Sequence, residues 1–125
     1  MKVIIAGSRS IADYNLIVKA VKESGFTITE VVCGLAKGPD TLGEQYAIEH
    51  NIPVAYFPAD WKRLGRTAGP IRNEQMGDYA DALIAIWDGK SRGTKHMIDY
   101  SKKKGLLIYI KNINEENVIL DDFCV

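Results

Sequence analysis

At 125 residues the chain has room for one compact domain, and it can bury roughly two-thirds of its unfolded surface without a metal or disulfide as a staple. Sixteen basic and sixteen acidic residues cancel, which argues against a protein built mainly to grip a nucleic-acid backbone. Two cysteines, Cys33 and Cys124, cannot make a disulfide framework and have no metal-ligand spacing, so both read as thiols in a reducing compartment; no metal or cofactor is expected.

The opening MKVIIAGSRS carries one lysine and a short apolar run, too little for a signal peptide. No segment approaches the roughly 20 apolar residues of a membrane span, so a cytoplasmic protein without a membrane partner is expected. Val3–Ala6 predicts a first strand, stopped by Gly7. Leu16, Ile17, Ala20 and Val21 make the stripe of a helix that ends at Gly25. Val31–Cys33 predicts a second strand before Gly34, and Pro39 suits the first turn of a helix carrying Leu42, Tyr46 and Ala47. Val54–Phe57 predicts a third strand. Pro58–Gly69 then reads as the longest irregular segment, and a loop that long in so small a domain is functional or mobile. Met76, Tyr79 and Ala80 share one face of a third helix, followed by a strand over Ala82–Trp87. The last helix runs from about Thr94 to Lys104, ends in a lysine cluster that suits a helix C-terminus, and stops at Gly105 before a strand over Leu106–Ile110. The acidic tail from 112 to 125 adds an edge strand through Val118-Ile119-Leu120 in this reading.

Apolar, β-branched runs without polar alternation imply strands covered on both faces. Alternation of strand and helix then gives βαβ units with right-handed crossovers. The expected fold class is α/β: a single Rossmann-like three-layer sandwich over residues 1–125, about five parallel strands with helices on both faces.

In such a sheet a ligand binds beyond the carboxyl ends of the strands, near the reversal of strand order. Four segments should meet there. Gly7-Ser8-Arg9-Ser10 offers a tight turn, hydroxyls for phosphate oxygens and a positive charge, or else a plain turn in which Ser10 caps the first helix. Gly34 to Asp40, with Ala36 and Gly38, leads a glycine turn into a helix N-terminus that attracts anions. Asp40 there either bonds a ribose hydroxyl or completes a cap. This stretch is neither a P-loop nor a dinucleotide fingerprint. In DWKRLGRTAGPIRNEQM, Lys62, Arg63 and Arg66 concentrate charge beside Gly69 and Pro70. Trp61 reads first as the apolar anchor of the loop and alternatively as a stacking face for a base. Arg72 and Asn73 open the third helix with a fork of donors for phosphate or carboxylate. Asp88 to Lys95 repeats the glycine turn before a helix, with Gly93 and with Thr94 as a hydroxyl donor. His50 reads as a solvent-facing residue, and His96 as a surface or packing residue close to the site. No nucleophile elbow or Ser/His/Asp set is present.

Taken in order, GSRS, CGLAKGPD, FPADW, AGPIRNEQM and GTKHMI resemble the SLOG superfamily, and within it a small YspA-like branch found in bacteria and phages. The resemblance spans about Met1 to Ile110 and is most specific from Phe57 to Met76. It implies a Rossmann-like fold that binds nucleotides or nucleotide-derived signals, ADP-ribose-like molecules among them, and it implies self-association into a dimer. Related LOG phosphoribohydrolases cleave the N-glycosidic bond of nucleoside monophosphates and are similar at Arg72-Asn73 and Gly93-Thr94. Related DprA proteins bind single-stranded DNA. LOG enzymes carry a glutamate shortly after Gly-Thr, able to stabilise or attack an oxocarbenium centre. Here Lys95, His96 and Met97 follow instead, and none of Asp40, Asp88 and Asp99 occupies that position. The resemblance therefore implies first a nucleotide-binding or sensing domain with a small-molecule partner. N-glycosidase action and DNA binding are the alternatives.

Overall fold

The structure, a computed structural model, describes residues 1–7, 13–34 and 39–113. Five strands form one sheet: β1 Lys2–Gly7, β2 Glu30–Cys33, β3 Val54–Tyr56, β4 Ala82–Trp87 and β5 Leu107–Asn112. All pair in parallel in the order β3-β2-β1-β4-β5. The chain thus walks outward from β1 to β3, returns to the other side of β1, and walks outward again. The reversal lies between β1 and β4, where Ile4 pairs with Leu83 and Gly7 with Ile86.

The strands are apolar on both faces, and the two-residue period sorts their side chains into two cores. Val3 and Ile5 of β1, with Ala82, Ile84 and Ile86 of β4, pack under the helices α1 Tyr14–Ser24 and α2 Pro39–Glu49. Ile4, Ala6, Leu83 and Ala85 pack on the opposite face against Met76 and Ala80, from α4 Ala68–Tyr79 and its end, and Met97 and Ile98 of α5 Arg92–Lys104. This is the three-layer arrangement expected of the sequence, with α1 and α2 on one face and α4 and α5 on the other.

The helix ends follow local chemistry. Asp13, not Ser10, caps α1: its carboxylate accepts the Asn15 N–H at 2.9 Å, while Ser10 lies outside the described residues. Gly25 and Gly105 close α1 and α5 in the left-handed conformation, at φ 70° and 76°. The largest departure from expectation concerns Pro58–Gly69. It is largely helical, with a short turn α3 over Trp61–Leu64, a 3₁₀ turn over Gly65–Thr67, and α4 already begun at Ala68. Asp60 starts α3 by accepting the Arg63 N–H at 3.2 Å. The edge strand expected at Val118-Ile119-Leu120 lies outside the described residues, as does Cys124.

Candidate functional site

α3, α4 and α5 bring their N-terminal parts together at the carboxyl edge of the sheet, on the α4/α5 face. They enclose a half-open cleft of about 230 Å³ lined by Trp61, Gly69, Pro70, Asn73, Arg92, Gly93 and His96. Trp61 is 58 % exposed, so it is not the buried anchor first expected. Its ring edge instead lies against Gly69, where an added Cβ would come within 3.3 Å of the indole. The other tryptophan, Trp87, is structural: its Nε1–H donates to the Ser91 carbonyl at 3.1 Å.

Beneath the cleft runs a chain of polar contacts that joins the end of β2 to the start of α5. Arg72, only 2 % exposed, donates through Nη1 to the Gly34 carbonyl at 2.5 Å and through Nε to Asn73 Oδ1 at 3.1 Å. Asn73 Nδ2 in turn donates to the Gly93 carbonyl at 3.3 Å and lies 3.2 Å from His96 Nδ1. Gly34 must be glycine here, since a Cβ would stand 2.4 Å from Arg72 Nη1. Arg72 and Asn73 do not open their helix, as the sequence suggested. They lie in its second turn, because α4 begins four residues earlier. Their stripe on α4 (Ala68, Gly69, Arg72, Asn73, Met76 and Gly77) is the buried one, and Met76 is its only large apolar side chain.

The start of α5 is built around Asp88 and Ser91. Asp88 Oδ1 accepts the N–H groups of Lys90 and Ser91, each at 2.9 Å, which turns the chain out of β4. Its other oxygen, Oδ2, is buried and has no hydrogen-bond partner among the described residues. Ser91 Oγ caps the helix by accepting the Thr94 N–H at 3.4 Å, and the Thr94 hydroxyl donates to it at 3.1 Å. Thr94 is fully buried, so its hydroxyl serves this cap. Arg92 and Gly93, the first two residues of the helix, line the cleft.

Of the residues expected at the site, Trp61, Gly69, Pro70, Asn73 and Gly93 share the cleft. Gly34 and Arg72 belong to the polar chain below it, and Asp88 and Thr94 to the turn that aims α5. Gly7 ends β1 at the reversal point. Ser8, Arg9, Ala36 and Gly38 lie outside the described residues, as does the side chain of Asp40.

Three residues the sequence left aside gain a place. Arg92 and His96 line the cleft, and the Glu74 carboxylate lies 3.8 Å from His96 Nε2. Of the three residues after Gly93-Thr94 only His96 turns to the cleft. Lys95 pairs outward with Asp99 at 2.7 Å, and Met97 is core. Helical spacing carried part of that information: residues 93, 96 and 97 share a face and 95 does not, and packing against the sheet then takes Met97 into the core. Glu74 has no comparable mark, because its position depends on how α4 packs against α5. His50, by contrast, is exposed and stacks on Tyr46 with ring centroids 4.0 Å apart.

Comparison with known proteins agrees with this architecture. Residues 1–64 match the family described as YAcAr: YspA, cpYpsA-related SLOG family. Gene 61 protein of Mycobacterium phage D29 is 30 % identical over 115 residues, covering 84 % of this chain and 91 % of that protein. The uncharacterized SPbeta prophage-derived protein YoqJ of Bacillus subtilis is 30 % identical over 60 residues, 48 % of this chain and 30 % of its own length. Among solved structures, DNA processing protein A (DprA) from Streptococcus pneumoniae superposes with a TM-score of 0.71 at 18 % identity. That superposition covers 87 % of this chain but 49 % of DprA, so the chain spans about half of that structure and the likeness is one of fold. No helix among the described residues is long and apolar enough to cross a membrane. With half its length in the family match and a relative similar along nearly all of both chains, the protein belongs to the YspA, cpYpsA-related SLOG family.

Proposed function

We propose that the protein binds a nucleotide or nucleotide-derived ligand in the cleft between α3, α4 and α5. The observation that carries this reading is the exposed indole of Trp61 sharing one concave site with Arg92 and Gly93 at the start of α5. An aromatic face stacks on a base whatever its identity, and a guanidinium beside a helix N-terminus attracts phosphate. The cleft is smaller than the roughly 300–1,000 Å³ of drug-sized pockets, so it would hold part of a nucleotide rather than the whole.

Thermal shift with AMP, ATP, NAD and ADP-ribose tests the reading. A ligand at 100 times its Kd adds about 2.7 kcal/mol, several degrees for a domain of this size. Trp61→Ala and Arg92→Ala should abolish the shift while leaving the unliganded Tm within about a degree, since both residues are exposed. No shift with any nucleotide rejects the proposal. Release of free base on incubation would instead assign N-glycosidase activity. Glu74, 3.8 Å from His96, would then be the first carboxylate to replace.

A second reading, single-stranded DNA binding, is favoured by one observation: Lys62, Arg63 and Arg66 are exposed beside Trp61. Oligonucleotide affinity that falls steeply with salt would support it over a mononucleotide.

A further inference from the structure

Asn73 is 3 % exposed and is held from both sides of its amide. Arg72 Nε, 3.1 Å from Oδ1, can only donate, so the amide oxygen must face it. The Gly93 carbonyl, 3.3 Å from Nδ2, can only accept, so the amide nitrogen must face it. Turning the amide over would set donor against donor at Arg72 and acceptor against acceptor at Gly93. Two independent contacts therefore fix one orientation. The second hydrogen of Nδ2 points to His96 Nδ1 at 3.2 Å. That ring nitrogen has to accept, and an imidazole accepting at Nδ1 carries its hydrogen on Nε2. Nε2 has the Glu74 carboxylate 3.8 Å away, beyond ordinary hydrogen-bond length, while the ring itself lines the cleft.

We infer that Asn73 is a positioning residue, locking His96 into its Nε2–H tautomer so that the imidazole is a fixed hydrogen-bond donor at the cleft wall. The guanidinium of Arg72, which can only donate, is the origin of that polarity, relayed from β2 to the cleft through a single amide. What the donor is for rests on the nucleotide reading: it selects a ligand presenting an acceptor atom, such as an unprotonated ring nitrogen or a carbonyl oxygen of a base.

The chain has two histidines, so a long-range proton–nitrogen correlation spectrum of the unliganded, isotope-labelled protein reads the tautomer, with His50→Gln to assign the signals. The expected pattern for His96 is a bare Nδ1 and a protonated Nε2. A protonated Nδ1, or averaged tautomers, overturns the inference. Asn73→Asp places an acceptor-only carboxylate opposite Nδ1 and should move hydrogen onto it; an unchanged His96 pattern also overturns the inference. Should that buried substitution prevent folding, the spectrum of the native chain still decides. AMP titration supplies the second readout. His96→Gln, which retains a donor, should bind within about threefold of the native chain, and His96→Ala about tenfold more weakly. Equal loss in both variants overturns the donor role. A native chain that shows the Nε2–H tautomer and binds no nucleotide refutes the function proposed for the cleft and leaves the positioning by Asn73 standing.

Discussion

α4 and α5 reach the cleft side by side, yet they begin in opposite ways. α4 grows out of a 3₁₀ turn, so its first N–H, that of Ala68, is already bonded to the Gly65 carbonyl. The Thr67 hydroxyl turns back to Leu64 at 2.8 Å, and Pro70 has no N–H to offer. What α4 contributes is internal: its buried stripe carries Arg72 and Asn73 into the space between the sheet and α5. α5 begins at a turn capped by Ser91, and it presents Arg92, Gly93 and His96 outward. Two helices with similar glycine-and-basic openings thus divide the work. One supplies wiring, and the other supplies the surface a ligand would meet.

If that division is right, damage at the α4 wiring should cost far more stability than damage at the α5 cap. The largest effect is expected for Arg72→Ala, which leaves the Gly34 carbonyl and Asn73 Oδ1 without this donor in a buried place. A loss of about 3 kcal/mol or more is expected by denaturant unfolding, and a loss below about 1 kcal/mol would show that α4 packs without the wiring. Gly34→Ala comes next, at about 1–3 kcal/mol, because its Cβ would lie 2.8 Å from the buried Arg72 Cζ. Gly77→Ala is the control for mere crowding. Its Cβ would lie 2.6 Å from Tyr100 Cδ2, but that ring is partly exposed and can swing aside, so it should cost less than Gly34→Ala. Ser91→Ala removes the α5 cap and should cost about 1 kcal/mol; a cost matching that of Arg72→Ala would erase the contrast between the two starts.

The smallest effect is expected at the far end of the same helix pair. There Tyr100, donating at 2.7 Å, and then Lys104 hold the Asp78 carboxyl below its usual range. A carboxylate whose folded pKa is lowered stabilises the fold above its unfolded pKa, and that contribution disappears as pH falls through the folded value. Asp78→Asn should therefore lower Tm slightly at neutral pH, and the gap from the native chain should close as acidification passes below the ordinary carboxylate range. A gap that persists in acid would mean that the residue acts through packing instead. Exposure and solvent screening keep this term small.

The five strands were legible to within a residue or two at each end, since the β-branched runs that mark them are the same groups the two cores bury. The amphipathic helix α1 was legible for a similar reason, through Ile17, Ala20 and Val21. α3 and the start of α4 were not. Their segment carries two glycines, and its buried stripe includes glycine, arginine and asparagine, so hydrophobic periodicity had nothing to register. Asp60 before Trp61 was the available clue, a cap without an apolar run behind it.

By itself the sequence determined the α/β class and the parallel pairing of its strands, and it pointed to the carboxyl end of the sheet as the place to look for a ligand site. Those follow from local rules: side-chain period, β-branching, and glycine where a helix stops. Only the tertiary structure decided what each polar residue does there. It turned Arg72 inward, left Trp61 exposed, buried the Thr94 hydroxyl in a cap, and set His96 against Asn73. Such roles depend on contacts between residues distant in sequence, as Arg72 with Gly34 or Asn73 with Gly93, and no periodicity within a segment encodes which distant partner a side chain will find.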